Sequence, residues 1–249
     1  MLALEFPSID NLVKWPAIFG EGEFYSFNKI GLISVIAFVV PTLLFLLSRK
    51  ELVPSGVQNV VEGVVGFVDT QIIDSIMGPK GRPYLPLLLS IFMFIFIGNI
   101  FEVIPVFQMP ANARIANPLL MALLVWVVFI GVGLKHNGLE YLKASLFPPG
   151  VPWIMYIIVT PIEFISTFIL RPFSMTIRLF ANMLAGHILL VTFGVLTIAM
   201  FDLLVPAFVL PFSVLVLLTG FEAMVSFLQA FIFTLLAAVY IDSSLDVHH

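Results

Sequence analysis

The chain has 249 residues, of which 61% are hydrophobic and 10% charged, with a formal net charge of −4. Soluble domains carry roughly 45–50% apolar and 25% charged residues, so no soluble domain of this size hides so much apolar surface behind so few charges. Disorder is excluded because there is plenty to bury, continuous rather than alternating apolar runs argue against a β-barrel, and no basic block serves nucleic acid. The chain has no cysteine, which removes thiol chemistry, Cys-ligated zinc and disulfides.

Residues 1–28 mix acidic and basic side chains without a compact apolar core. They read as an extracytoplasmic segment, neither a cleavable signal nor an Arg-rich transit peptide. Residues 29–249 read as one membrane domain. A hydrocarbon core of ~30 Å takes ~20 apolar helical residues. Ile30–Leu47, Leu85–Phe101 and Ile115–Leu134 meet that requirement. Val57–Met77 places Glu62, Asp69 and Asp74 among valines and isoleucines, the pattern of an interfacial helix. Gly138–Pro152, with Glu140, Lys143 and a Pro-Pro-Gly turn, reads as a loop.

Two longer apolar regions follow, Val159–Phe201 and Pro206–Ile241. As unbroken helices they would be ~60 Å and ~50 Å long, too long to stand upright, so each must tilt or break. We read them as a tilted hairpin over 159–241, turning at Asp202–Pro206. The fold class is therefore an all-α integral membrane protein with five membrane helices plus an interfacial amphipathic helix. Arg49, Lys50, Lys80 and Arg82 flank the first connection, Lys135 and Lys143 the third, and only Arg114 the second. The positive-inside rule then puts the N-terminus outside and the C-terminus in the cytoplasm.

Ionisable residues inside a membrane need a reason. The long helices hold Glu163, Arg171, Arg178, His187 and Glu222, with Asn182 and Gln229 as polar partners. Arginine does not deprotonate in proteins, so Arg178 is a poor proton carrier and a good permanent charge. It would lower the pKa of a carboxylate brought beside it and repel a passing proton. At ~100° per residue, Ala181, Asn182, Ala185 and Leu189 share its face, and small residues there admit a neighbouring helix. His187 falls ~180° away. On the last helix, Glu222, Ser226 and Gln229 form a narrow stripe. In a hairpin turning near residue 204, His187 and Glu222 lie at similar depth, as do Arg178 and Gln229. His187 and Glu222 then make a candidate proton-exchanging pair. Glu163, Ser166 and Thr167 share one face by their i, i+3, i+4 spacing, as do Asn99 and Glu102. Arg171, just before Pro172, reads as an interfacial anchor.

The stretch Arg171-Pro172-Phe173-Ser174-Met175-Thr176-Ile177-Arg178-Leu179-Phe180-Ala181-Asn182-Met183-Leu184-Ala185-Gly186-His187 resembles the signature of subunit a of F-type ATP synthases. Gln229-Ala230-Phe231-Ile232-Phe233-Thr234-Leu235-Leu236, with Glu222 seven residues earlier, resembles that family's final-helix motif. Asn99-Ile100-Phe101-Glu102-Val103-Ile104-Pro105 resembles the end of its second span. The resemblance implies the stator half of a rotary motor lying against a ring of c subunits, with b-type peripheral-stalk subunits and lipid as the other partners. It implies that Arg178 is the essential charge separating two half-channels. His187, Glu222, Asn99 and Glu102 would line the outer half-channel, and Asn182, Gln229 and Ser226 would sit near the arginine. Glu163, Ser166 and Thr167 would serve the inner half-channel. It implies no metal, no cofactor and no catalytic site of the chain's own. In keeping with that, the chain carries no GxxxxGK[ST] loop. Without a transit peptide the expected location is a bacterial plasma membrane rather than a mitochondrial inner membrane. The competing reading, a stand-alone ion-coupled secondary transporter, calls for an inverted repeat that the sequence does not offer.

Overall fold

A computed structural model describes residues 28–48, 56–104, 107–147, 152–203 and 205–245. The N-terminal segment, the basic pair Arg49–Lys50 and the Pro-Pro-Gly turn lie outside the described residues. Every regular element among the described residues is helical, and five helical runs are long and apolar enough to cross a membrane.

The elements in chain order are α1 (Lys29–Leu47), α2 (Val57–Val68), a π-helical segment (Asp69–Met77) and a 3₁₀ stretch (Gly78–Tyr84) leading into α3 (Leu85–Ile100). Then come α4 (Ala116–Asn137), α5 (Leu139–Leu146), α6 (Tyr156–Ile165), a π-helical segment (Ser166–Leu170), α7 (Arg171–Leu203), a single 3₁₀ turn (Val205–Phe208) and α8 (Val209–Leu245). Pro41 and Pro161 lie inside α1 and α6. Apolar helices tolerate such prolines where neighbouring groups re-satisfy the freed carbonyls.

The first and third apolar runs begin and end within three residues of the sequence expectation, the fourth begins six residues earlier, at Trp153, and the fifth spans Val209–Leu245 against the expected Pro206–Ile241. The second is longer, because α2 and its π and 3₁₀ continuations lead without an intervening loop into α3. Gly78 marks the change of direction there, at φ +59°, a conformation that suits glycine. The loop expected over Gly138–Pro152 is corrected: Leu139–Leu146 is helical. Leu-Glu-Tyr-Leu-Lys-Ala-Ser-Leu is built of good helix formers, and Gly138, at φ +58°, ends α4 so that a new helix can start at once.

The chain divides into two compact units, and α1, α3, α7 and α8 each contribute to both. The first comprises residues 1–42, 93–114 and 179–230. Its apolar centre includes Ile30, Ile33, Met109 and Ala111, with Phe101 and Phe107 packed against it. The turn between α7 and α8 is held by an edge-to-face contact of Phe201 and Phe208 at 5.3 Å. The second unit comprises residues 43–92, 115–178 and 231–249. There Phe67 touches Phe92 and Phe231, each at 5.7 Å, and Phe129 meets Tyr240 at 5.8 Å. Asn137 closes the end of α8 by donating its side-chain amide to the carbonyls of Ser244 and Leu245 at 2.9 and 3.3 Å. Those carbonyls have no partner within their own helix.

Candidate functional site: a two-faced helix and a buried acid cluster

Helix α7 separates its residues by face as the periodicity requires. Arg178, Ala181, Asn182, Ala185 and Leu189 are all exposed. Met175, Leu179, Met183, Gly186 and His187 are all buried. The cation therefore stands on a surface it shares with Ser174, Ala181, Asn182 and Ala185, and the imidazole points the other way.

In the first unit, α7 and α8 form the expected antiparallel pair. The Glu222 carboxyl lies directly over Gly186, so close that a Cβ on residue 186 would meet its atoms at 2.5–2.7 Å. Gly186 precedes and Glu222 follows residue 204 by eighteen positions each. Ser226 and Gln229 continue the α8 stripe and are buried with Glu222. Glycine at 186 is thus the residue that seats the carboxylate. Gly186→Ala is expected to destabilise the protein by ~1–3 kcal/mol, read as a lower thermal unfolding midpoint in detergent, since a methyl is forced into a filled site. The double variant Gly186→Ala/Glu222→Asp, with its carboxyl drawn back by one methylene, is expected to recover part of that loss in the same unfolding measurement.

The end of α3 adds to this cluster. Asn99 is fully buried, and Asn112 donates its side-chain amide to the Asn99 carbonyl oxygen at 2.7 Å. Glu102, in the turn beyond α3, is only 2% exposed. Burial first, and the charge of Glu222 second, push the Glu102 carboxyl up to about 9. Desolvation and a like charge both disfavour the ionised form. Glu102 and His187 line one cavity of about 510 Å³, with Gln108, Thr197 and Thr219 among apolar walls. Gln108 adopts φ +44°, a left-handed conformation uncommon for a non-glycine residue.

Several buried polar atoms here have no hydrogen-bond partner: Asn99 Nδ2, both Glu102 oxygens, Asn112 Oδ1, Glu222 Oε2 and Ser226 Oγ. Buried polar groups are normally satisfied, and exceptions call for an explanation such as a functional role. A set of six, concentrated in one unit around two carboxyls and an imidazole, marks this cluster as the candidate site.

Asn112 is the member of this cluster that sequence reasoning missed. Its signal was a lone asparagine in the short 3₁₀ turn Ala111–Ala113, with no periodicity to place it. Glu163, Ser166 and Thr167 lie in the other unit. Glu163, in the last turn of α6, and Ser166 are half-buried and Thr167 is buried with its hydroxyl unpartnered, while Ile162, Phe164 and Ile165 are exposed. A π turn starts at Ser166.

The class that emerges is a polytopic α-helical membrane protein whose final long hairpin concentrates ionisable residues on opposite faces. Residues 30–242 match the family model described as ATP synthase A chain. The chain is 40% identical to ATP synthase subunit a of Frankia alni over 225 residues, covering 88% of this chain and 77% of that protein. It is 41% identical to that of Parafrankia sp. over 238 residues (92% and 79%) and 40% identical to that of Rhodococcus erythropolis over 248 residues (96% and 90%). The chain belongs to the ATP synthase subunit a family, a component of the ATP synthase complex.

Proposed function

We propose that the chain is the proton-translocating stator subunit of a rotary F-type ATP synthase, set in a bacterial plasma membrane with its N-terminus outside and its C-terminus in the cytoplasm. Its partners are a c-subunit ring and b-type peripheral-stalk subunits. The observation that carries this reading is the pattern along α7 and α8: Arg178 is exposed, whereas His187 and Glu222 are buried.

A proton enters from outside by Glu102 and Asn99, passes to Glu222 and His187, and reaches a carboxylate on the ring. The neutral carboxyl then turns through lipid. It meets the inner path near Glu163, Ser166 and Thr167, where the field of Arg178 favours its ionised form and the proton leaves to the cytoplasm. Asn182, Ser226 and Gln229 add polar side chains along α7 and α8. Because the fixed cation opposes direct passage, protons cross only by turning the ring. A potential of 100 mV supplies ~2.3 kcal/mol per charge. The synthesis of ATP itself belongs to other subunits.

The test replaces the resident subunit of a bacterial host with this chain. Inverted membrane vesicles are expected to acidify on addition of ATP, and vesicles lacking the chain but matched for ATP hydrolysis are not. The purified chain reconstituted alone is expected to catalyse no ion flux. Robust flux by the isolated chain would favour a secondary transporter instead.

A further inference from the structure

Arg171 opens α7, immediately after the π turn Ser166–Leu170. A π turn widens the helical ring and shifts the angular phase of everything that follows it. Something beyond chain continuity must therefore set the rotation of α7, and the second unit contains a suitable device. The Arg171 guanidinium carbon lies 5.0 Å from the Tyr240 ring centroid and 5.8 Å from that of Phe129, and these two rings are in contact. Cation–ring attraction acts over this range, and the flat guanidinium suits stacking where an ammonium does not.

The bracket is braced on both sides. Tyr141 of α5 is buried in the space that Gly133 of α4 leaves open, where a Cβ would meet its ring at 2.7 Å. Burial raises the Tyr141 pKa, while the Arg171 charge and a hydrogen bond with Ser244 oppose the rise, so all three groups share one locality. Ser244 also donates to the Tyr240 carbonyl at 2.6 Å, and Asn137 closes the end of the same helix. Four helices, α4, α5, α7 and α8, are thus fastened around one arginine.

We propose that Arg171 is a positioning residue: clasped by Phe129 and Tyr240, it fixes the rotation and depth at which α7 presents Arg178, seven residues on. A twist of ~20° would carry a side chain ending ~7 Å from the helix axis through roughly 2 Å, and misplacement on the ångström scale is enough to impair a charge-positioned reaction. The inference rests on the proposed barrier role of Arg178.

The test measures protons pumped per ATP hydrolysed in inverted vesicles carrying the whole complex, with assembly followed by mass spectrometry. Loss of this chain leaves ATP hydrolysis without pumping and would itself lower the ratio, so ratios are compared only between complexes whose content of this chain, by mass spectrometry, matches wild type. Arg171→Ala and Tyr240→Leu are each expected to reduce the ratio at least about threefold, and Tyr240→Phe, which keeps the ring, to retain it. An unchanged ratio in both disruptive variants, or a loss in Tyr240→Phe equal to that in Tyr240→Leu, overturns the proposal. If neither disruptive variant assembles, Arg171→Lys decides: a lowered ratio supports the clasp and a wild-type ratio overturns it. Arg178→Ala is measured alongside. A wild-type ratio there removes the barrier reading itself, whereas loss in Arg178→Ala with no effect across the Arg171 series removes only the clasp.

Discussion

Replacing Arg178 with alanine is expected to abolish ATP-driven proton pumping, by about 100-fold or more, in a complex that still assembles. An opposite charge within ~4–6 Å lowers a carboxylate pKa by ~1–3 units, which is a tenfold to thousandfold bias toward the ionised form. Without it, a protonated ring carboxyl arriving beside the stator keeps its proton, whichever way the ring turns. The variant is also expected to pass protons passively when the soluble sector is stripped away, because the charge that opposed direct passage is gone. Arg178→Lys should not restore wild-type pumping: an ammonium changes its pKa readily on desolvation and lacks the guanidinium's planar set of donors. The measurement is quenching of a ΔpH-sensitive dye in inverted vesicles, with subunit content checked by mass spectrometry. Pumping at wild-type level in an assembled Arg178→Ala complex would reduce the residue to an anchor. Arg178 stands exposed beside Ala181, Asn182 and Ala185, so its truncation removes no internal packing, and a loss of pumping can be assigned to the charge.

The second large effect is expected at Glu222. Glu222→Gln keeps the size and shape of a side chain that fits over Gly186 but cannot take or give a proton. Pumping is expected to fall at least about tenfold, the low end of the range for a lost proton-transfer group, with assembly retained. Glu222→Leu should fall as far or further, since it also replaces a polar group of the buried cluster with an apolar one. Glu222→Asp keeps the chemistry and is expected to retain intermediate activity. Comparable pumping in Glu222→Gln and wild type would make Glu222 a polar spacer and move the proton path elsewhere in the cluster. These variants separate titration from volume, a separation that Gly186→Ala cannot make by itself.

Much of this was legible before any coordinates. The ~100° step alone put Arg178 and His187 on opposite sides of one helix, and the structure exposes one and buries the other. Equal spacing from residue 204 was enough to bring the Glu222 level of α8 beside the Gly186–His187 level of α7. Three features were not legible, each for a physical reason. The helix Leu139–Leu146 was hidden by its position between Gly138 and a Pro-Pro-Gly run, two strong turn signals that outweighed good helix formers. The π turn at Ser166–Leu170 has no compositional mark, because widening a helical ring by one residue needs no special side chain. Arg171 and Asn112 take their meaning from partners distant in the chain: Tyr240 for the first and Asn99, thirteen residues back, for the second. Local periodicity carries no information about such pairs.

The length of α7 has a mechanical consequence. Its 33 residues make a rod of ~50 Å. A rod longer than a hydrocarbon layer of ~30 Å is thick is accommodated by leaning, by bending or by thickening the layer around it. Where it leans, its residues are displaced sideways as well as in depth. A leaning helix maps distance across the membrane onto distance along it. Groups strung along α7 at different depths are also strung along the path of anything sliding past its flank. On the proposed reading, a voltage drop directed through the bilayer then acts on an ordered series of stations in the membrane plane, the geometry a tangential force requires.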